Sequence, residues 1–256
     1  MEVTVNELAL FAGAGGGILG GHLLGWRTVC AVERDAYAAQ VLAQRQNDGI
    51  LQPFPIWSDV CSFDGKPWRG IVDIVSGGFP CQDISAAGKG AGINGEKSGL
   101  WRHMARIIGE VRPRFVLVEN SPMLVRRGLA LVIGDLAQMG YDAKWGRISA
   151  LDTGAPHDRD RIWIVGEVMD NAISERFEPG RVYHREDDRN QSGTAGEYTI
   201  QNPNICTATG YDNWPDEPGM GRVANGVAHR VDRIKALGNG QVPRVAATAF
   251  SLLREK

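Results

Sequence analysis

Apolar residues in this chain fall into short, β-branched runs separated by glycine-rich turns or by stretches with helical spacing. Residues 7–11, 28–32, 71–75 and 115–118 are compact apolar runs of strand length, bounded by turn residues. Residues 141–149 and 162–165 add two more. Between them, residues 18–24, 98–111 and 125–139 carry helical spacing, and residues 244–253 close the chain with a further helix. The helix over 125–139 is expected to stop at Gly140 in a left-handed cap, with Arg126 and Arg127 near its start. Short buried runs alternating with helices predict an α/β fold. From residue 167 to about 231 this periodicity fades, and Gly, Pro, Asn, Asp and Arg dominate.

Composition sharpens that picture. With 256 residues, 43% of them hydrophobic, the chain can bury a full α/β core and a small second lobe. A net charge of −2 gives no global positive field, so any nucleic-acid surface must be local. The four cysteines, Cys30, Cys61, Cys81 and Cys206, show no Cys-x-x-Cys spacing. Neither a zinc site nor a disulfide framework is expected, and no metal. No basic and apolar leader precedes the first strand and no stretch reaches membrane-spanning length. These features predict a cytoplasmic protein with no membrane partner, and a monomer.

Two strand ends carry chemistry. The run 71–75 leads into Ser76-Gly77-Gly78-Phe79-Pro80-Cys81-Gln82-Asp83-Ile84-Ser85, which places a thiol at the carboxyl end of a strand, where open α/β sheets bind ligands. The run 115–118 ends in Glu119-Asn120-Ser121-Pro122, which offers an acid. Upstream, Phe11-Ala12-Gly13-Ala14-Gly15-Gly16-Gly17 links the first strand to a helix, the opening of a nucleotide-binding βαβ unit. Gly15-x-Gly17-x-x-Gly20 fits the dinucleotide pattern, and Glu33 ends the next strand, where it would accept hydrogen bonds from ribose hydroxyls. NAD, FAD and S-adenosylmethionine all present that ribose, so these residues do not choose among them. Glycine-dense residues 86–98, with Lys89 and Lys97, have the composition of a loop able to close over a substrate and meet phosphate.

The Pro80-Cys81-Gln82 and Glu119-Asn120-Ser121-Pro122 segments resemble the nucleophile and acid motifs of the DNA cytosine-5 methyltransferases of bacterial or phage type. The likeness continues in order along the chain. Phe11, Ala12, Gly13, Gly15 and Gly16 resemble the family's S-adenosylmethionine loop, Glu33 its ribose acid, and Asp59 the residue that contacts the adenine amine. Leu100 matches a position lining the cofactor pocket. Arg159 and Arg161 match arginines that contact the flipped base and the flanking phosphate. Gly238, Asn239 and Val242 fit the closing segment that returns to the cofactor domain. Three positions depart: Arg34 where an aromatic is common, His157 where Gln is usual, and Gln241 where an aliphatic is usual.

The resemblance implies a Rossmann-like S-adenosylmethionine-dependent methyltransferase domain over 1–166 and 236–256, with a small, irregular target-recognition lobe over 167–235. It implies methylation of carbon 5 of a flipped-out cytosine in double-stranded DNA. Cys81 would be the nucleophile, Glu119 the acid, Pro80 and Asn120 the shapers of the Cys81 backbone, and Arg159 and Arg161 the cationic neighbours. Ser85, Lys89 and Arg159 would contact DNA. Arg176, Arg181, Arg185 and Arg189 are further phosphate candidates in the recognition interval. The same chemistry on RNA, a catalytically silent nucleic-acid-binding protein of this fold, and a dinucleotide-dependent oxidoreductase are the alternatives. The last of these leaves Cys81, Glu119 and the Arg159/Arg161 pair without roles.

Overall fold

A computed structural model describes residues 4–80, 98–169, 198–199 and 230–255. Its centre is an eight-stranded sheet in the order β3-β2-β1-β4-β5-β7-β6-β8. The strands are β1 (Asn6–Leu10), β2 (Arg27–Val32), β3 (Ile56–Trp57), β4 (Ile74–Gly77), β5 (Phe115–Asn120), β6 (Tyr141–Ile148), β7 (Arg161–Val168) and the two-residue β8 (Tyr198–Thr199). The first five pair in parallel, and β7 inserts antiparallel between β5 and β6. After β3 the chain returns across the sheet to lay β4 beside β1. That reversal makes a topological switch point, and the carboxyl ends of β1 and β4 open a crevice there.

Helices cover both faces. On one side lie α3 (Trp101–Val111), α4 (Leu124–Arg127) and α5 (Leu129–Gln138). In α3, Met104, Ile107, Ile108 and Val111 recur at helical spacing and are fully buried against Leu8, Val75, Val116 and Val118. Each such side chain contributes about 1.5–3 kcal/mol of apolar burial. On the other side, α7 (Pro243–Arg254) lays Val245, Ala249, Phe250 and Leu253 over Phe115, Leu117, Trp163 and Val165. Beside it, α1 (Gly16–Leu23) and α2 (Ala36–Asn47) bring Ile18 and Leu42 onto Ala9 and Ala31. The remaining helix, α6 (Arg230–Asn239), precedes α7. Strands β4 and β5 are buried throughout, as a parallel sheet covered on both faces requires.

Two expected elements shift, and two helices are added. The strand expected over 71–75 is β4 at Ile74–Gly77. Its start is set by Asp73, whose carboxylate accepts the Asn6 amide at 2.8 Å, while Ile71 remains half exposed in the preceding turn. The single helix expected over 125–139 is broken at Gly128 into α4 and α5. Arg126 and Arg127 therefore occupy the last turn of α4, where cations suit the helix dipole, instead of opposing it at a helix start. Gly140 follows α5 with φ +86°, as its cap position led us to expect. Finally, α2 and α6 were not anticipated. For α2 the signal was present in Asp35, whose side chain caps the helix by accepting the Ala38 amide.

Candidate active site

The carboxyl ends of β1, β2, β4 and β5 converge on one edge of the sheet, and each delivers a candidate residue. The β1 end is tightly folded. Phe11 has φ +53°, a left-handed conformation that costs a bulky residue about 1–3 kcal/mol and is kept where the surroundings dictate it. The Ala12 amide bonds the Val32 carbonyl at 3.1 Å, and Gly15, at φ +88°, caps α1. From the end of β2, Glu33 reaches across to this loop. Its Oε2 accepts the Gly13 amide at 2.6 Å and its Oε1 accepts the Asp35 amide at 2.7 Å.

These residues fit the expected cofactor. Beside Gly13 the space is open among the described residues, with no atom beyond its chain neighbours within 4 Å of where a side chain would begin. Glu33 borders that space, and carboxylate oxygens each have room for a second donor such as a ribose hydroxyl. Asp59, after β3, is held by the Cys61 amide at 2.9 Å, and that bond keeps its carboxyl below the usual range, ready to accept from an amine. Arg34 lies close enough to Asp59 to act on it electrostatically and stands at the exposed surface. The Asp59 segment is braced by Arg106 of α3, which donates to the Val60 and Phe63 carbonyls, each at 2.9 Å. Leu100 packs at the edge of the core beneath. Asn239 is exposed at the end of α6, and α6 is tied to the α2 cap by Lys235 and Asp35 at 2.5 Å.

The β4 and β5 ends form the second half. Phe79 is buried against Trp101, with ring centroids 5.5 Å apart, and its carbonyl accepts the Asn120 side chain at 3.1 Å. The backbone leading into Pro80 is thus anchored on both sides. Along β5 successive side chains alternate, so Asn120 points to the α3 face and Glu119 to the α7 face. There Glu119 meets Arg161, the first residue of β7, at 2.8 Å. Burial pushes the Glu119 carboxyl up, against the opposing pull of Arg161, Arg159 and a hydrogen bond from Gln241. It therefore holds a proton more readily than an exposed glutamate. Arg159 also donates to the Gly240 carbonyl at 2.8 Å, fixing the α6–α7 link beside the acid.

The structure thus brings Glu119, Asn120, Pro80, Arg159 and Arg161 together, next to the Phe11–Gly16 loop and Glu33. Cys81, Ser85 and Lys89 lie outside the described residues, as do Arg176, Arg181, Arg185 and Arg189. His157 is exposed in the loop before β7. Gln241, noted in the sequence only as a departure, is a participant here. Sequence reasoning missed it because its partner, Glu119, belongs to a distant strand. Among the described residues, no helix is long and apolar enough to cross a membrane, and no group of three or more metal-binding side chains is assembled.

Comparison with known proteins adds an independent line. The family model for C-5 cytosine-specific DNA methylases matches residues 5–213. A type II methyltransferase of Psychrobacter, M.PspPI, is 34% identical over 188 residues, covering 71% of this chain and 44% of the relative. M.Eco47II of Escherichia coli is 32% identical over 183 residues, covering 70% and 43%. The chain spans less than half the length of these two curated relatives. Among solved structures, a methyltransferase of Entamoeba histolytica superposes with a TM-score of 0.56 at 18% identity, covering 73% of this chain and 58% of that one, which supports the fold alone.

Proposed function

The chain belongs to the C-5 cytosine-specific DNA methylase family, and from that premise we propose that it transfers a methyl group from S-adenosylmethionine to carbon 5 of a flipped-out cytosine in double-stranded DNA. The observation that carries this reading is the buried Glu119 carboxyl, paired with Arg161 and set beside the anchored backbone that delivers residue 81. Residues 1–166 and 236–256 would form the catalytic and cofactor-binding domain, and 167–235 the recognition lobe.

Carbon 5 of cytosine is a weak nucleophile. Addition of the Cys81 thiolate to carbon 6 would convert the ring into an enamine whose carbon 5 attacks an electrophilic methyl. A thiol with an ordinary pKa near 8.5 is only partly ionised at neutral pH, and a guanidinium such as that of Arg161, if brought beside it, would favour the thiolate. Negative charge develops on the ring as the thiolate adds. Glu119, with its raised carboxyl pKa, would donate a proton toward ring nitrogen 3 and stabilise that charge. After methyl transfer the carbon-5 proton leaves and Cys81 is eliminated. S-adenosylmethionine supplies the activated methyl group. Phe11, Gly13, Glu33, Asp59 and Leu100 would hold it, with Ala12, Gly15, Gly16 and Asn239 completing the pocket. A base inside a duplex is out of reach of Cys81, so the target must leave the stack. Arg159, Ser85 and Lys89 would hold the flanking phosphates.

The test is conversion sequencing of total DNA from a methylation-free bacterial host expressing the chain, beside a Cys81→Ala control. Methylcytosine at one recurrent sequence, absent from the control, is the expected result. An unmethylated genome would overturn the reading, and methylcytosine in the host RNA alone would move the activity to RNA.

A further inference from the structure

The side chain of Gln241 lies where the cofactor loop, the acid and the end of β4 meet. Three glycines register its position. A Cβ built on Gly16 would stand 2.0 Å from the Gln241 carbonyl oxygen, and one on Gly17 would stand 2.2 Å from Gln241 Oε1. A Cβ on Gly78 would lie 3.1 Å from Gln241 Nε2 and 2.5 Å from Glu119 Oε2. A side chain at Gly16 would strike the Gln241 backbone, and one at Gly17 or Gly78 would displace the Gln241 amide group or the Glu119 carboxylate. Nε2 and the Glu119 carboxylate crowd the same side of Gly78, and the Gln241 side chain hydrogen-bonds Glu119. An amide N–H is the only donor that a glutamine can offer a carboxylate, so Nε2 donates and Oε1 turns toward the first turn of α1.

The surroundings hold this residue in place. Arg159 grips the preceding carbonyl, that of Gly240, and Val242 packs into the α7 core just after it. Among the described residues, the charged groups facing Glu119 are Arg161 from β7 and Arg159 from the loop before it. Gln241 is the neutral member of this set, and it also touches the first turn of α1.

We propose that Gln241 is a positioning residue for Glu119: its amide fixes the carboxyl on the side of Gly78 and links the acid to the first turn of the cofactor helix. This rests on the methyltransferase reading above. A chain position marked in sequence as a departure from an aliphatic residue thereby acquires a role, orienting the acid toward the ring while leaving binding of DNA to other groups.

The test compares steady-state methylation of DNA by the wild-type chain with Gln241→Met, which preserves length but removes the donor. The expected kcat falls about tenfold, with KM for DNA unchanged within about twofold, as for loss of orientation at a proton-transfer group. Removing a bond that favours the charged carboxylate also moves the alkaline limb of the kcat profile to higher pH. A residue that only fills space predicts wild-type kcat and an unmoved pH profile for Gln241→Met, and that result overturns the inference. Should Gln241→Met lose its cooperative melt, the isosteric Gln241→Glu carries the test. A second carboxyl beside Glu119 moves the same limb upward, and an unmoved limb there overturns the inference equally. An inactive wild-type chain would instead remove the proposed function itself, a distinguishable result.

Discussion

Two carboxyl groups are buried in the same sheet, and their differences separate architecture from chemistry. Glu7, in β1, is fully buried beneath α1 and accepts hydroxyl hydrogen bonds from Thr28 at 2.7 Å and Ser76 at 2.6 Å. Burial pushes its pKa up to about 7, with the two hydroxyls pulling weakly the other way. Glu119, in β5, is also raised by burial, yet its partners are two arginines and an amide. Glu7 sits inside the body of the sheet among neutral donors, sealed by Trp26 and Gly21. Glu119 stands at the carboxyl edge, against Gly78 at the end of β4. A perturbed pKa alone does not mark a catalytic group, and the acid role proposed for Glu119 rests also on its place at the carboxyl edge and on its cationic neighbours.

The largest effect is expected at Glu119. Replacing it with Gln removes the transferable proton while keeping shape, and kcat is expected to fall by about 10²–10⁴-fold with little change in DNA affinity. Rates comparable with wild type would show that the acid is misassigned.

The next effect is on stability. Glu7 has a folded pKa raised from 4.5 to about 7, so the folded state binds its proton more tightly than the unfolded chain does. Its contribution is fully present below pH 4.5 and is lost as pH rises through about 7. The shift corresponds to about 3 kcal/mol. Glu7→Gln is expected to erase that slope, making the variant more stable than wild type at pH 8 and leaving methylation unchanged. Denaturant melts from pH 5 to pH 8 check this, and a wild-type slope in the variant would refute the buried-proton account. Smallest is Ser76→Ala, which deletes one hydroxyl donor to Glu7. It should cost about 1 kcal/mol in the same melts and leave the acid chemistry untouched.

Much of this molecule was legible before its structure. Short β-branched runs announce buried strands because nothing else explains so many branched residues between glycine turns. β1, β2, β5, β6 and β7 lie where those runs predict. β4 moved because its start is decided by a long-range bond between Asp73 and Asn6, which no local pattern encodes. The break at Gly128 escaped notice because Val125 to Met139 keeps an apolar rhythm across it. In the site, Glu119, Asn120, Arg159 and Arg161 are placed together by the sheet, a juxtaposition that their separate positions in the chain could only imply through resemblance. Gln241 was legible as a departure and illegible as a partner, since its contacts arise from the return of α7 to the sheet.

In the proposed reaction Cys81 adds to a cytosine in DNA with Glu119 as the acid. Capture of the covalent intermediate tests it most directly. Genomic DNA carrying 5-fluorocytosine offers a ring whose carbon 5 has no proton to lose, so elimination of the enzyme is blocked after methyl transfer. The expected result is a denaturation-resistant protein–DNA complex that requires S-adenosylmethionine, is abolished in Cys81→Ala and forms far more slowly in Glu119→Gln. Methylation of ordinary DNA without any such complex on the fluorinated substrate would contradict it.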